Sequence, residues 1–272
     1  MSVGIERIGI DIGWRLKLEE AIEWASARDV RYIDLTFDGD EDLLRGQTPR
    51  LAAARSQLEK SGIHLGLHTN SNVNVAETGL YVAEAVDEYL KAYVCAAKEV
   101  GAGWIVVHGG YHFTRGKPER MQASVERLQR ISQIAERAGM LLLLENPTPE
   151  PDDAELHYMP HDLEACDYFF SRLTSPALQW TFTVNHAHIL PIGIPGFLAE
   201  MDLSRCREVR IADCRGTIEE HLPIGEGTID FGQMFSLIEG AGYQGHYMLA
   251  YGSVEDMETG RRQLVEIAAA AS

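Results

Sequence analysis

Eight short apolar runs, most of them followed by a longer stretch of helical period, recur through the chain, and no other feature constrains its fold so tightly. A strand buried on both faces reads as a continuous apolar run and an amphipathic helix repeats every three or four residues, so the alternation describes βα units around a parallel sheet. Eight such units close into a barrel. The runs at 7–12, 32–37, 64–68, 104–108, 140–145, 178–184, 208–213 and 247–251 are predicted strands, and 18–28, 48–61, 80–100, 118–138 and 161–173 are predicted helices. Several helical stretches stop at a glycine that leads directly into the next strand, at Gly62, Gly101, Gly139 and Gly242, where a left-handed cap needs no Cβ. The expected fold is α/β, a single (β/α)₈ barrel. With no low-complexity segment and no Pro/Gly/Ser linker, residues 1–272 are expected to form one domain.

At 272 residues and 45% hydrophobic, the chain can bury one large core. The N-terminus MSVGIERIGIDIG lacks a basic region ahead of an apolar stretch, and no window approaches the roughly eighteen apolar residues of a membrane span. Cys95, Cys166, Cys206 and Cys214 form no CxxC pair, which argues against a zinc knuckle or a dithiol site and fits a reduced cytoplasm. Lys+Arg number 24 against 41 Asp+Glu, a net charge of −17 whose field repels phosphate backbones. The expected partner is therefore a small molecule in a pocket, with no nucleic acid and no membrane.

The C-terminal ends of barrel strands point into one shared mouth, so a polar residue closing an apolar strand carries meaning. Three consecutive strands end this way: HLGLH at His68, WIVVH at His108 and LLLLE at Glu145. Two imidazoles and a carboxylate suit zinc, which takes nitrogen and oxygen ligands and leaves a position open in catalytic sites. Without a metal the same groups can act as general acid and base. His186 and His188 follow the sixth strand, Asp11 ends the first and Asp38 follows the second, Arg210 and Asp213 sit on the seventh, His221 lies beyond it, and Tyr251 ends the eighth. Of these, Asp11, Asp38 and His188 read equally well as structural. The segment 146–160, with four prolines, is too long for an ordinary connection and is expected to cover the pocket. Trp14, Trp104, Tyr111, Phe113, Tyr158 and Tyr251 are candidates for an aromatic lining of the mouth.

On the segments LHTNSNVNVA, IVVHGG, LLLENP, VNHAH and RIADCRG, and above all HLPIGEGTIDF, the chain resembles the xylose-isomerase-like TIM barrels, which include sugar epimerases, hydroxypyruvate isomerase, inosose dehydratase and endonuclease IV. The resemblance implies a metal site built from Glu, Asp, His and Glu on the last four strands. Only Glu145 matches; Thr183, Arg210 and Ala250 stand at the other three positions. A guanidinium there repels a divalent cation and can instead pair with Glu145 and supply fixed positive charge. His68, His108 and Glu145 match one of the positions that endonuclease IV fills with zinc. A divalent metal, zinc or manganese, thus stays open, and the metal-free reading is preferred. Relatives often pair, so a homo-oligomer is also open.

The function that follows is an isomerase, epimerase or lyase that abstracts a proton next to a carbonyl or hydroxyl of a small oxygenated substrate. Glu145 would be the base, His186 or His108 the second acid/base group and Arg210 the electrostatic stabiliser, with His68, Asp213, His221 and Tyr251 contacting substrate. The alternatives are zinc-dependent hydrolysis or lyase chemistry at His68, His108 and Glu145, and a non-catalytic ligand-binding barrel.

Overall fold

The computed structural model describes residues 3–46 and 48–271. Its elements run β1 (Ile8–Gly13), α1 (Leu18–Ala27), β2 (Tyr32–Leu35), α2 (Glu41–Leu44), α3 (Thr48–Ser61), β3 (His64–His68), α4 (Leu80–Val100), β4 (Trp104–Val107), β5 (Tyr111–Phe113), α5 (Lys117–Ala138), β6 (Leu141–Glu145), β7 (Leu156–Tyr158), α6 (Leu163–Phe170), β8 (Leu178–Thr183), α7 (Val184–Ile189), α8 (Gly193–Glu200), β9 (Cys206–Ile211), α9 (Phe231–Gly240), β10 (His246–Leu249) and α10 (Val254–Ala270). Eight of the strands, in the order β1-β10-β9-β8-β6-β4-β3-β2, form a closed barrel, and β5 pairs with β7 outside it. The expected (β/α)₈ barrel is what forms. Among the described residues no helix is long and apolar enough to cross a membrane.

Strand register decides what faces the axis. Asp11 lies beside Asp34, Asp34 beside Gly66, Gly66 beside Trp104, and Trp104 beside Leu141. Because side chains alternate across a strand, every second residue from these points inward: His68, Val106, Leu143 and Glu145 on one side, and Thr181, Thr183, Glu208, Arg210 and Met248 on the other. Trp104, Val106, Leu143 and Met248 form an apolar layer inside the barrel. Gly66 makes room for it: a Cβ there would collide with the Trp104 indole and Asp34, which are joined by an N–H···O bond of 3.1 Å.

Two features depart from the sequence reading. The predicted strand at 178–184 gives way after Thr183 to α7, which carries His186. Segment 146–160 does not stay irregular: β7 pairs antiparallel with β5, Tyr111 opposite Tyr158 and His112 opposite His157. Three-residue strands leave no period to read.

Candidate active site

A cavity of about 340 Å³ opens at the C-terminal ends of the strands. At its floor the Nε2 atoms of His68 and His108 lie 3.3 Å apart, and Glu145 Oε2 is 3.0 Å from His108 Nε2 and 3.8 Å from His68 Nε2. The other oxygen, Oε1, accepts from the Thr183 hydroxyl. Asn146 fixes that contact by accepting from Thr183 N at 2.9 Å and donating to Thr183 O at 3.1 Å, which ties the end of β6 to the end of β8. Burial pushes the Glu145 carboxyl up, but the His108 hydrogen bond and the three surrounding imidazoles outweigh it and hold the group well below the usual range. Burial drives His108 the other way, toward the neutral form. At neutral pH the pair is an ionised carboxylate against a neutral imidazole.

Arg210 lies beside this floor. Its NH1 donates to Asp34 Oδ2 at 2.6 Å and to Glu208 Oε1 at 2.9 Å, its NH2 to Asp11 Oδ2, and its Nε comes within 4.0 Å of Glu145 Oε1. Burial opposes its charge, yet the surrounding carboxylates raise its pKa well above the ordinary value, so it is a fixed cation. The expected pairing with Glu145 is corrected in one respect: the nearer partners are Asp11, Asp34 and Glu208, and Arg210 acts on Glu145 through its field more than through contact. Burial and the Glu208 charge push the Asp34 carboxyl well up, against the pull of the Arg210 guanidinium.

On the opposite wall His186 Nδ1 donates to Asn146 O at 2.9 Å and His221 Nδ1 donates to Ala250 O at 2.8 Å. Since a carbonyl can only accept, the Nε2 atom of each ring faces Glu219 Oε1, at 3.1 and 2.9 Å. Those two hydrogen bonds pull Glu219 down to about 2, and Glu219 raises His221. Glu219 escaped the sequence reading because its segment has no periodicity. The only signal was a carboxylate two residues ahead of His221.

The cavity brings together His68, His108, Glu145, His186, Arg210 and His221 of the expected residues, along with Asp11, Trp14 and Tyr158. Asp213 and Tyr251 lie outside it. Asp213 accepts from the backbone N–H groups of Cys214, Gly225, Gly227 and Ile229 and so folds the loop that presents His221. Tyr251 is buried against Gly260, where any Cβ would strike its hydroxyl. Strand parity explains both: Arg210 and Ala250 line the cavity, so residues an odd number of places further on point away. Asp38 accepts from Tyr89 and Tyr93, and His188 meets Thr228 at 2.9 Å, so both are structural.

Among the described residues, two groups of side chains have the composition and spacing to hold a metal ion: His68, His108 and Glu145, and His186, Glu219 and His221. In the first, the separations of 3.0, 3.3 and 3.8 Å bracket the edge of about 3.4 Å that a tetrahedral zinc site demands. The set at Glu145, Thr183, Arg210 and Ala250 does not fit a cation, because neither a methyl nor a guanidinium supplies an anionic donor.

A closed eight-stranded barrel with acidic and imidazole side chains at the strand C-termini has its cavity at the end where barrels of this class place their active sites. The chain belongs to the xylose isomerase-like TIM barrel family, whose model matches residues 22–270. No curated protein matches it by sequence. Among solved structures it is similar to a D-tagatose 3-epimerase-like protein, with 21% identity over 97% of this chain and 98% of that one and a TM-score of 0.85. It is also similar to D-psicose 3-epimerase from Clostridium cellulolyticum H10, solved with D-tagatose, with 12% identity over 97% and 99% of the chains and a TM-score of 0.79. A third is 3-keto-D-glucoside 4-epimerase from E. coli, with 16% identity over 96% and 98% and a TM-score of 0.71.

Proposed function

We propose that the protein is an epimerase or isomerase of a sugar-like substrate, working by proton abstraction next to a carbonyl with Glu145 as the base. The observation that carries this reading is an ionised, buried carboxylate at the pocket floor, bordered by three imidazoles and by the fixed charge of Arg210. Glu145 takes the proton from carbon, and the electron pair left behind moves onto the carbonyl oxygen as an enolate. His108 can donate from Nε2 to that oxygen, and the field of Arg210 lowers its energy. Return of the proton by Glu145, or by His186 from the other side, completes the exchange. Sugar substrates named for the similar structures suit a pocket whose walls also carry Thr36, Asn70, Ser71 and Asn185.

The spacing of His68, His108 and Glu145 favours a second reading, a zinc-assisted hydrolase or lyase. A zinc ion held by these three side chains would supply a Lewis acid, and it would occupy Glu145 as a ligand so that Glu145 could no longer serve as base. The two readings exclude each other, and we favour the one without metal.

Wash-in of deuterium from D₂O into D-tagatose and D-fructose, followed by NMR, tests the proposal. Glu145→Gln keeps the shape and removes the base, and exchange should fall by about 10²–10⁴-fold. Exchange that survives the substitution would rule out Glu145 as base, and exchange lost to chelator and restored by zinc would favour the second reading.

A further inference from the structure

We propose that Asp11, Gly13 and Arg15, at the end of β1, form a cradle that reads one uncharged hydroxyl group of the substrate, at a point away from the carbon that Glu145 attacks. The inference rests on the sugar-like substrate proposed above and adds which chemical group that substrate presents here.

Three observations converge on this spot. The first is an unmet acceptor. Asp11 lines the cavity and commits Oδ2 to Arg210, but its Oδ1 is buried and has no hydrogen-bond partner among the described residues. Oδ2 is ion-paired with the Arg210 guanidinium, so the lone oxygen belongs to a carboxylate. A buried anionic acceptor without a donor is costly, and a ligand hydroxyl relieves that cost.

The second is a tethered donor. Arg15 is anchored across the mouth by its Nε, which donates to Gly252 O at 2.8 Å. Its NH1 reaches Asp11 O and Ile12 O only at 3.4 Å each, which leaves this nitrogen weakly engaged.

The third is space between the two. Gly13 has φ 58°, and the point where its Cβ would stand lies 3.4 Å from Arg15 NH1 and 3.5 Å from Asp11 Oδ1. Glycine thus leaves no side chain between these two atoms, and a ligand oxygen that enters there, at contact distance from the Gly13 backbone, can donate its proton to Asp11 and accept from Arg15. A hydroxyl does both, whereas a carboxylate or phosphate has no proton to give and meets the Asp11 charge. An ammonium group is turned away by Arg15. The pair therefore selects for a polyol end over an anionic or cationic one.

His68 separates the cradle from the base: its Nδ1 is 3.6 Å from Asp11 Oδ2 and its Nε2 is 3.8 Å from Glu145 Oε2. The hydroxyl read here thus belongs to one end of the chain and not to the reacting carbon.

The test is calorimetric binding of D-tagatose, 1-deoxy-D-tagatose, 6-deoxy-D-tagatose and D-tagatose 6-phosphate to the full chain carrying Glu145→Gln, which prevents turnover. One of the two deoxy sugars should bind about ten- to a hundredfold more weakly than D-tagatose. Arg15→Met should erase that difference, and the phosphate should bind no better than the parent sugar. Gly13→Ala, which fills the cradle, should weaken D-tagatose in the same way; because its φ strains an alanine, Arg15→Met alone decides if this variant does not fold. Equal binding of both deoxy sugars and the parent, a preference that survives Arg15→Met, tighter binding of the phosphate, or no binding of any of the four overturns the cradle. A preference seen in binding without deuterium exchange in the unsubstituted protein would leave the cradle standing and remove the proposed activity. Exchange without the preference does the reverse.

Discussion

The guanidinium of Arg210 meets Asp11, Asp34 and Glu208 inside the barrel, in a place where such folds usually stack apolar layers. Removing one partner of a buried ion pair leaves the others uncompensated, at a cost of about 3–5 kcal/mol. Arg210→Met should therefore lower the melting temperature by roughly 10 °C at pH 7. The deficit also has a sign with pH. Asp11, held at about 2 by Arg210 against an unfolded value of about 4, lends stability that is complete above the unfolded value and drains away as pH falls through the folded one. In Arg210→Met that contribution is gone, and the carboxylates left without their cation can take up protons in acid. The gap between the two proteins should be widest at neutral pH and narrow toward pH 3, which thermal unfolding across that range measures; a gap that widens in acid would contradict the charge assignment. At this scale much of the site was legible. His68, His108 and Glu145 could be read because each polar residue closes an apolar strand. Asp213 and Tyr251 were misplaced although alternation along the strand, counted from Arg210 and from Ala250, already turns them away from the mouth. The three carboxylates around Arg210 were not legible as a group, since Asp11, Asp34 and Glu208 come from strands far apart in sequence and meet only once the barrel closes.

Among the elements, the β5–β7 pair has the most bearing on the pocket. It fastens the proline-rich segment after β6 to the one after β4 and holds Tyr158 at the cavity wall. Its centre is a cross-strand stack of His112 on His157, with ring centroids 5.3 Å apart. Burial lowers the His112 pKa, and His157, Lys117 and His161 lower it further, against a hydrogen bond to Phe113 O that raises it, so His112 is biased toward its uncharged form. Like charges directly opposite one another destabilise a strand pair. His112→Lys sets a permanent charge against His157 and close to Lys117, and should loosen this clasp without unfolding the barrel. The expected result is amide exchange at Tyr111–Phe113 and Leu156–Tyr158 faster by about tenfold, with a melting temperature changed by less than about 2 °C. Slower or unchanged exchange would show that the stack does not hold the clasp. Long elements such as α3 and α4 were legible to the residue because their apolar period runs over many turns. The clasp and α7 were not, because three or six residues carry no period and their pairing is decided by neighbours distant in sequence.

At the scale of the whole molecule, the barrel is complete only when β10 pairs with β1, a contact between the two ends of the chain. Sequence alternation announces eight units but says nothing of what secures this seam. Two buried or half-buried arginines do so. Arg7 donates to Gly245 O and Tyr243 O and pairs with Glu239 at 2.8 Å, and Arg261 on α10 donates to Ile8 O at 2.7 Å, Ile5 O at 3.0 Å and Asp29 O at 3.3 Å. Arg261 thus holds the first strand from the last helix, and Arg261→Met keeps much of the packing while leaving those carbonyls without their donor. The loss of such hydrogen bonds costs about 1–3 kcal/mol, or a fall in melting temperature of roughly 5 °C for a chain of this size. Because closure is shared by all eight strands, the loss should appear as one cooperative transition moved downward, with deuterium exchange at 25 °C unchanged while the protein stays folded. Two separate transitions, or lost exchange in folded protein, would show that the seam near Arg261 is coupled to the pocket and not only to the stability of the barrel as a whole.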